Sequence, residues 1–224
     1  MTKVAAFIFD LDGVITDTAE YHYLAWKRLG EQLAIPFDKE FNETLKGISR
    51  MESLERILAL GGKTDEYSTE QKQALAEAKN ADYVSLLVDM SPADIYPGIE
   101  RLLQTLQAQH IRIALASASK NAPMILQALG LTDYFEYIVN PDDLQAGKPN
   151  PEIFLRAAKA LGVDPQACIG VEDAEAGIEA IKAANMFAVG VGTPAVMQAA
   201  GADYVVAQTS ELDFTKIIAK FALK

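Results

Sequence analysis

The stretch Val4-Ala5-Ala6-Phe7-Ile8-Phe9-Asp10-Leu11-Asp12-Gly13 decides how the rest of the chain is read. An apolar run continues without a break from Val4 to Phe9 and stops at a carboxylate. A short, uninterrupted run of this kind predicts a strand buried on both faces, the pattern of a parallel sheet. Just beyond it, two acids two residues apart turn to the same side of an extended segment. Gly13 then frees the backbone for a turn. Taken alone, Asp10 and Asp12 fit a solvated acidic loop as well as a site.

Farther along, the pattern changes and then changes back. From about Asp17 to Asp89, apolar residues recur at helical spacing, as in Leu54, Ile57 and Leu58, and Pro36 and Gly61-Gly62 break the run into several helices. After Ser91-Pro92, a helix with Ile99, Leu102, Leu103 and Leu106 on one face leads into a strand over 111–116. A helix from about Ala122 closes at Gly130, a residue type favoured just past helix ends. A strand around Tyr137-Ile138-Val139 and a helix with Pro151 at its first position follow. Strands over 167–171, 187–191 and 204–206 alternate with a helix through Ile178 and Ile181 and a C-terminal helix. Alternation at this spacing predicts βαβ units and a parallel sheet flanked by helices. The expected organisation is an α/β core of residues 1–16 and 91–224 with an all-helical insertion over 17–90.

Composition narrows the function classes. With 224 residues, 50% of them hydrophobic and 23% charged, the chain has ample material for a core, which excludes a disordered or collagenous protein. A net charge of −11 argues against non-specific nucleic-acid binding and against docking on anionic membranes. The single cysteine, Cys168, falls in a predicted buried strand and excludes an internal disulfide or a multi-cysteine metal site. No apolar run approaches the ~18–20 residues that span a bilayer, and the N-terminus carries no signal-peptide cleavage pattern. A soluble cytoplasmic protein is the expectation. For an anionic substrate, this acidity demands a bound cation and placed Lys or Arg side chains to reverse the local potential.

In parallel sheets, ligands bind beyond the carboxyl ends of the strands. The strand over 111–116 is followed by Ser117-Ala118-Ser119-Lys120-Asn121, where hydroxyls and free N–H groups can serve an anion or simply cap a helix. Gly147-Lys148-Pro149-Asn150-Pro151 puts a lysine just before a helix, which by itself reads as solvated. Val171 is followed by Glu172-Asp173, which by themselves read as helix-start acids. Their conjunction is more specific. Acids from two separate strands offer hard oxygen ligands for one Mg²⁺, and the lysine and hydroxyl supply charge and hydrogen bonds for a phosphoryl group.

These motifs resemble those of the haloacid dehalogenase (HAD) superfamily, carried here by Asp10-Leu11-Asp12-Gly13-Val14, Ser117, Lys148 and Glu172-Asp173. The segments FDLDGVITDTAEYH (9–22), LKGISRMESL (45–54), SPADIYPGI (91–99), ALASASKNAP (114–123) and GVEDAEAGI (170–178) are similar to those of its sugar-phosphate mutases. The resemblance implies an α/β fold with a parallel-sheet, Rossmann-like HAD core and an inserted helical-bundle cap. It implies an isomerase that interconverts β-glucose 1-phosphate and glucose 6-phosphate, with β-glucose 1,6-bisphosphate as intermediate and activator. Asp10 is then the nucleophile and Asp12 the general acid/base, with Thr18, His22 and Lys79 positioning Asp12. One Mg²⁺ is held by Asp10, the Asp12 carbonyl and Asp173, with Glu172 either a further ligand or a neighbour. Ser117 and Lys148 hold the transferring phosphoryl group. Arg50 grips the second phosphate, a task suited to its bidentate fork, with Gly47, Ile48 and Ser53 close by. Ala118, Ser119, Lys120 and Asn121 match sugar- or phosphate-contacting positions. Trp26 either packs on the sugar or fills the helical core, and packing on the sugar is favoured. Cap closure over the substrate would exclude water. A monomer acting on small sugar phosphates is expected.

One departure is visible: Ala174 stands where many members carry serine, which removes a hydroxyl beside the acids. The nearest alternative is a sugar-phosphate or phosphoglycolate phosphatase of the same superfamily, with water as acceptor, and the segment containing Arg50 argues against it. A phospho-receiver module also uses an Asp, Mg²⁺ and a Lys, but it needs neither Asp12 nor a helical insertion.

Overall fold

The computed structural model describes residues 3–45 and 47–223. Lys46, within the segment over 45–54, lies outside them. The chain forms two compact units, Met1–Asp17 with Ser91–Lys224, and Thr18–Met90.

The first unit is built on strand β1 (Ala6–Phe9), every residue of which is buried. A helical unit intervenes in sequence before α5 (Ile99–Ala108), β2 (Arg112–Leu115), α6 (Ala122–Ala128), β3 (Tyr137–Ile138) and α7 (Glu152–Leu161). β4 (Cys168–Glu172), α8 (Glu175–Ala183), β5 (Phe187–Val191), α9 (Pro194–Ala199), β6 (Tyr204–Val206) and α10 (Phe214–Phe221) complete it. The sheet is parallel throughout, in the order β3-β2-β1-β4-β5-β6. The order reverses at β1, where Phe9 stands level with Leu115 on one side and Val171 on the other. β1 is therefore central and has no exposed edge, which is why its sequence is apolar on both faces. On one face, Ile8 and Ala114 pack with Ile153, Phe154 and Ala157 of α7 and with Ile178 and Ile181 of α8.

The helical unit contains α1 (Ala19–Gln32), α2 (Lys39–Glu43), α3 (Arg50–Leu60) and α4 (Thr69–Leu86). Its core gathers Trp26, Leu29, Leu54, Ile57, Leu58 and Ala76. α4 opens with a capping box in which Ser68 and Gln71 satisfy each other's backbone N–H groups. α3 is capped by the Ser49 hydroxyl, which accepts from the Glu52 N–H.

Several element ends differ from the sequence reading by a residue or two. Pro151 occupies the N-cap of α7 rather than its first turn, because the Asn150 carboxamide oxygen accepts the Glu152 N–H and starts the helix there. β4 begins at Cys168 because Ala167 belongs to a short turn of Pro165–Ala167 capped by Asp164. It continues to Glu172, which pairs in register with Gly190. Glu172 is thus the last residue of a strand rather than the first of a loop. His110 is exposed and Cys168 fully buried. No helix among the described residues is long and apolar enough to cross a membrane.

Ala174 is the N-cap of α8, in an extended conformation with no side chain to accept a helix N–H. Serine in that conformation supplies the missing acceptor. Ala174→Ser is expected to raise stability by about 1 kcal/mol, read as a shift of the urea midpoint at unchanged m-value.

Candidate active site

Parallel register brings the acids together. Since Phe9 is level with Val171, the next residues, Asp10 just past β1 and Glu172 at the end of β4, stand side by side, and the Asp10 N–H bonds the Val171 carbonyl at 2.9 Å. Lys148 reaches between them, its Nζ 2.6 Å from Asp10 Oδ1 and 2.7 Å from Glu172 Oε2. All three side chains are buried. The second Glu172 oxygen accepts the N–H groups of Asp173 and Ala174, each at 3.1 Å, so a side-chain oxygen takes donors that would otherwise be orphaned ahead of α8. Lys148 is held by its own loop. The Glu152 carboxylate at the start of α7 accepts the N–H groups of Gln145 at 2.8 Å and Ala146 at 3.2 Å. The Phe154 ring lies 5.4 Å from the ammonium.

One ammonium among this many acids leaves the cluster negative. Burial, aided by repulsion from Glu172, raises the Asp10 pKa to about 8 against the pull of Lys148, and Asp12 adds to the rise. Burial alone would pull Lys148 down, but Asp10 and Glu172 outweigh it and hold its pKa above the ordinary value. Asp10, Glu172 and Asp173 each present a carboxylate oxygen, all within 4.8 Å of one another. Three hard oxygen donors with unneutralised charge fit Mg²⁺. Gly13, at φ +76°, makes the turn after Asp12 and lies directly against the Asp173 carboxylate.

From β2, the neighbour of β1 in the sheet, the chain delivers Ser117, which is 2% exposed. Its hydroxyl accepts the Ser119 N–H at 3.1 Å, and the Ser119 hydroxyl accepts the Asn121 N–H at 3.3 Å, so the segment from Ser117 to Asn121 is a chain of side-chain-capped turns. Ala118, between them, is half-buried. Lys120 forms an exposed ion pair with Asp142.

The helical unit has a polar centre of its own. Lys79 is 3% exposed, so it is no part of a solvated helix face. Its ammonium lies 2.9 Å from His22 Nδ1, 4.4 Å from the centre of the Trp26 ring and 4.8 Å from that of Tyr83. An ammonium has only donors, so Nδ1 accepts and a neutral His22 carries its proton on Nε2. Burial, then Lys79, then Arg50 hold the His22 pKa well below the usual value, which keeps the ring neutral at pH 7. His22 stacks on Tyr83 at 4.1 Å. Trp26 packs in the unit's apolar core, the alternative to the sugar contact favoured from the sequence. Arg50 opens α3, Gly47 and Ile48 precede it, and buried Ser53 donates to the Ser49 carbonyl at 3.0 Å. Thr18 is fully buried at the N-cap of α1.

Sequence reasoning passed over three side chains. Tyr96 donates to Asp17, and burial together with Asp17, Asp173 and Asp12 pushes its pKa up to about 12. Its backbone N–H bonds the Ile15 carbonyl at 2.9 Å. Glu152 and Phe154 support Lys148. Tyr96 lies within the segment over 91–99, and Glu152 and Phe154 follow Lys148 closely, but nothing in a carboxylate or ring at such a position distinguishes support from ordinary surface or core.

A haloacid dehalogenase-like hydrolase family model matches residues 4–185. The chain is similar to a β-phosphoglucomutase of Bacillus subtilis, 58% identical over 207 residues, or 92% of this chain and 91% of that protein. It is 35% identical to a β-phosphoglucomutase of Mycobacterium bovis over 243 residues, covering 94% of this chain and 92% of that one. The crystal structure of a β-phosphoglucomutase from Clostridium difficile superposes with a TM-score of 0.96 at 52% identity, covering 98% of both chains.

The raised Asp10 pKa fixes the sign of a pH effect. The folded state binds this proton more tightly than the unfolded chain, so its contribution is full below the ordinary value of 3.8 and is lost as pH rises toward about 8. His22 acts oppositely, because its lowered pKa costs stability as pH falls below 6.5. The difference between wild type and Asp10→Asn isolates the first effect. In metal-free protein, the melting temperature of wild type should fall relative to Asp10→Asn between about pH 5 and 8, with Mg²⁺ restoring it. Parallel curves would assign the slope elsewhere.

Proposed function

The chain belongs to the haloacid dehalogenase-like hydrolase family, and from its likeness to β-phosphoglucomutases over nearly its whole length we infer that it is an isomerase acting as a β-phosphoglucomutase on β-glucose 1-phosphate and glucose 6-phosphate. The observation that carries the chemistry is the buried Asp10–Lys148–Glu172 cluster, with bonds of 2.6 and 2.7 Å. An ionised carboxylate approaching a phosphate dianion meets strong repulsion, so catalysis is chiefly positioning and charge neutralisation. We assign Asp10 as the nucleophile. Its free oxygen attacks the C1 phosphorus of β-glucose 1,6-bisphosphate, the bond from that phosphorus to the sugar oxygen breaks, and glucose 6-phosphate leaves behind an aspartyl-phosphate. Asp12 gives its proton to the departing sugar oxygen. In the second half-reaction, it takes a proton from the 6-hydroxyl of β-glucose 1-phosphate, which attacks the aspartyl-phosphate, frees Asp10 and forms the bisphosphate again. A carboxyl of ordinary pKa is a poor acid at neutral pH, so this role requires an environment that favours the protonated form of Asp12 when substrate is bound.

Asp10, Glu172, Asp173 and the Asp12 carbonyl are the groups that would hold Mg²⁺, whose charge would offset the repulsion at the reacting phosphoryl group. Lys148 places a point charge at that group, and Ser117 donates to one of its oxygens. Ser119, Lys120 and Asn121 bind the sugar phosphate, and Arg50 holds the second phosphate bidentately. The same reading takes β-glucose 1,6-bisphosphate as intermediate and activator, and the enzyme as a cytoplasmic monomer.

A coupled assay tests this reading with β-glucose 1-phosphate, Mg²⁺ and a trace of the bisphosphate, the α-anomer being run alongside. Glucose 6-phosphate from the β-anomer alone, without free phosphate, is the expected result. Net release of phosphate would replace the mutase with a phosphatase. Arg50→Ala should keep slow acetyl phosphate hydrolysis within about threefold while mutase turnover falls at least about 100-fold, since a bidentate charge-assisted contact is worth several kcal/mol. Equal loss of both activities would contradict the role of Arg50 at the second phosphate.

A further inference from the structure

Gly177 stands in the first turns of α8, where glycine is a poor choice. Alanine in its place favours the helix and restricts the unfolded chain. The residue has no positive φ that would call for glycine. Its surroundings explain it. A Cβ at Gly177 would lie 2.0 Å from Glu172 Oε2, 2.1 Å from Cδ and 2.3 Å from Cγ. All three atoms belong to one side chain, and that side chain is not free to swing. Glu172 is fully buried, its Oε2 holds Lys148 at 2.7 Å, and its Oε1 holds two backbone N–H groups at 3.1 Å.

We propose that Gly177 is a positioning residue for the reaction: the space left by its missing side chain is where Glu172 lies so that it can hold Lys148 against Asp10. The proposal rests on reading Asp10, Lys148 and Glu172 as the reactive cluster. Gly13 repeats the arrangement for the neighbouring acid, with its Cβ falling 2.1 Å from Asp173 Oδ2 and 2.3 Å from Cγ. There, φ +76° also demands glycine, so the two reasons are superposed. At Gly177, the contact stands alone. Other close-packed glycines meet backbone, as Gly98 meets the Thr209 carbonyl at 2.8 Å, or apolar side chains, as Gly170 meets Ile181 at 2.6 Å and Gly190 meets Met197 at 2.9 Å. Gly170 and Gly190 serve core packing, whereas Gly13 and Gly177 each set aside room for one carboxylate.

A methyl group at position 177 forces Glu172 to withdraw, and the atom nearest the methyl is the oxygen bound to Lys148. Withdrawal removes one of the ammonium's two anchors and shifts one of the oxygens that face Mg²⁺. Helix propensity alone predicts the opposite sign, a melting temperature raised by roughly 2–4 °C. The two effects are therefore separable.

The test compares wild type, Gly177→Ala, Glu172→Asp and the double variant. Mg²⁺ affinity is measured by calorimetric titration of metal-free protein, with melting temperature and mutase turnover measured in parallel. Gly177→Ala should weaken Mg²⁺ binding and turnover by roughly 10–100-fold and lower the melting temperature. Glu172→Asp should be costly in the wild-type background. In the Gly177→Ala background, it should cost nothing further or recover Mg²⁺ affinity, because the shorter acid vacates the contested space. Mg²⁺ affinity of Gly177→Ala within twofold of wild type, or losses that simply multiply in the double variant, would overturn the proposal. If Gly177→Ala is insoluble, a soluble, Mg²⁺-binding double variant supports it and an insoluble one overturns it. A wild type that releases phosphate instead of glucose 6-phosphate would overturn the mutase reading and leave the Mg²⁺ and melting comparisons valid.

Discussion

Two carboxylates at the ends of adjacent strands share one buried ammonium, and most of what surrounds them follows from that arrangement. Moving an ion from water into a protein interior costs several kcal/mol even after relaxation. Lys148 offsets part of that for both Asp10 and Glu172. It cannot neutralise both, and Asp173 and Asp12 add further charge nearby. The remaining deficit pushes Asp10 toward its protonated form. Such a cluster is a poor device for stabilising a fold, since an apolar replacement would serve as well. It makes sense as a site in which an added cation restores the ionised nucleophile.

The sheet supplies the precision this requires. Parallel pairing of β1 with β4 sets Phe9 level with Val171, so Asp10 and Glu172 emerge together without any loop having to bring them there. Loops carry only what cannot come from a strand. Lys148 arrives on a segment tied by Glu152, and Ser117 leads a run of turns whose hydroxyls cap one another. In the helical unit, Lys79 is buried against Trp26 and Tyr83 and donates to His22, so π-faces and an imidazole nitrogen are among the groups that receive its charge.

Strand and helix order was legible because buried parallel strands write themselves as apolar runs, and the Val4–Phe9 run does so plainly. The meeting of Asp10, Lys148, Glu172 and Asp173 was legible for a related reason. Parallel strands share a carboxyl end, so chemistry-bearing residues placed just after them converge. Other features lay below the resolution of pattern. The extension of β4 to Glu172 depends on pairing with Gly190, which no local signal records. The burial of Lys79 depends on rings from α1 and α4, whereas its immediate neighbours in sequence, Ala78 and Asn80, carry none. Gly177 reads as an indifferent helix residue until the Glu172 side chain is seen in the space beside it.

The account stands on Asp10 as the atom that receives the phosphoryl group. Its most direct test is to mix the protein with acetyl phosphate and Mg²⁺, quench in acid within milliseconds to seconds, and locate the acid-stable, base-labile phosphoryl group by peptide mass spectrometry. One phosphoryl group on the peptide that contains Asp10, absent from Asp10→Asn, is the predicted result. A phosphoryl group on another residue, or turnover with none on Asp10, would contradict the account.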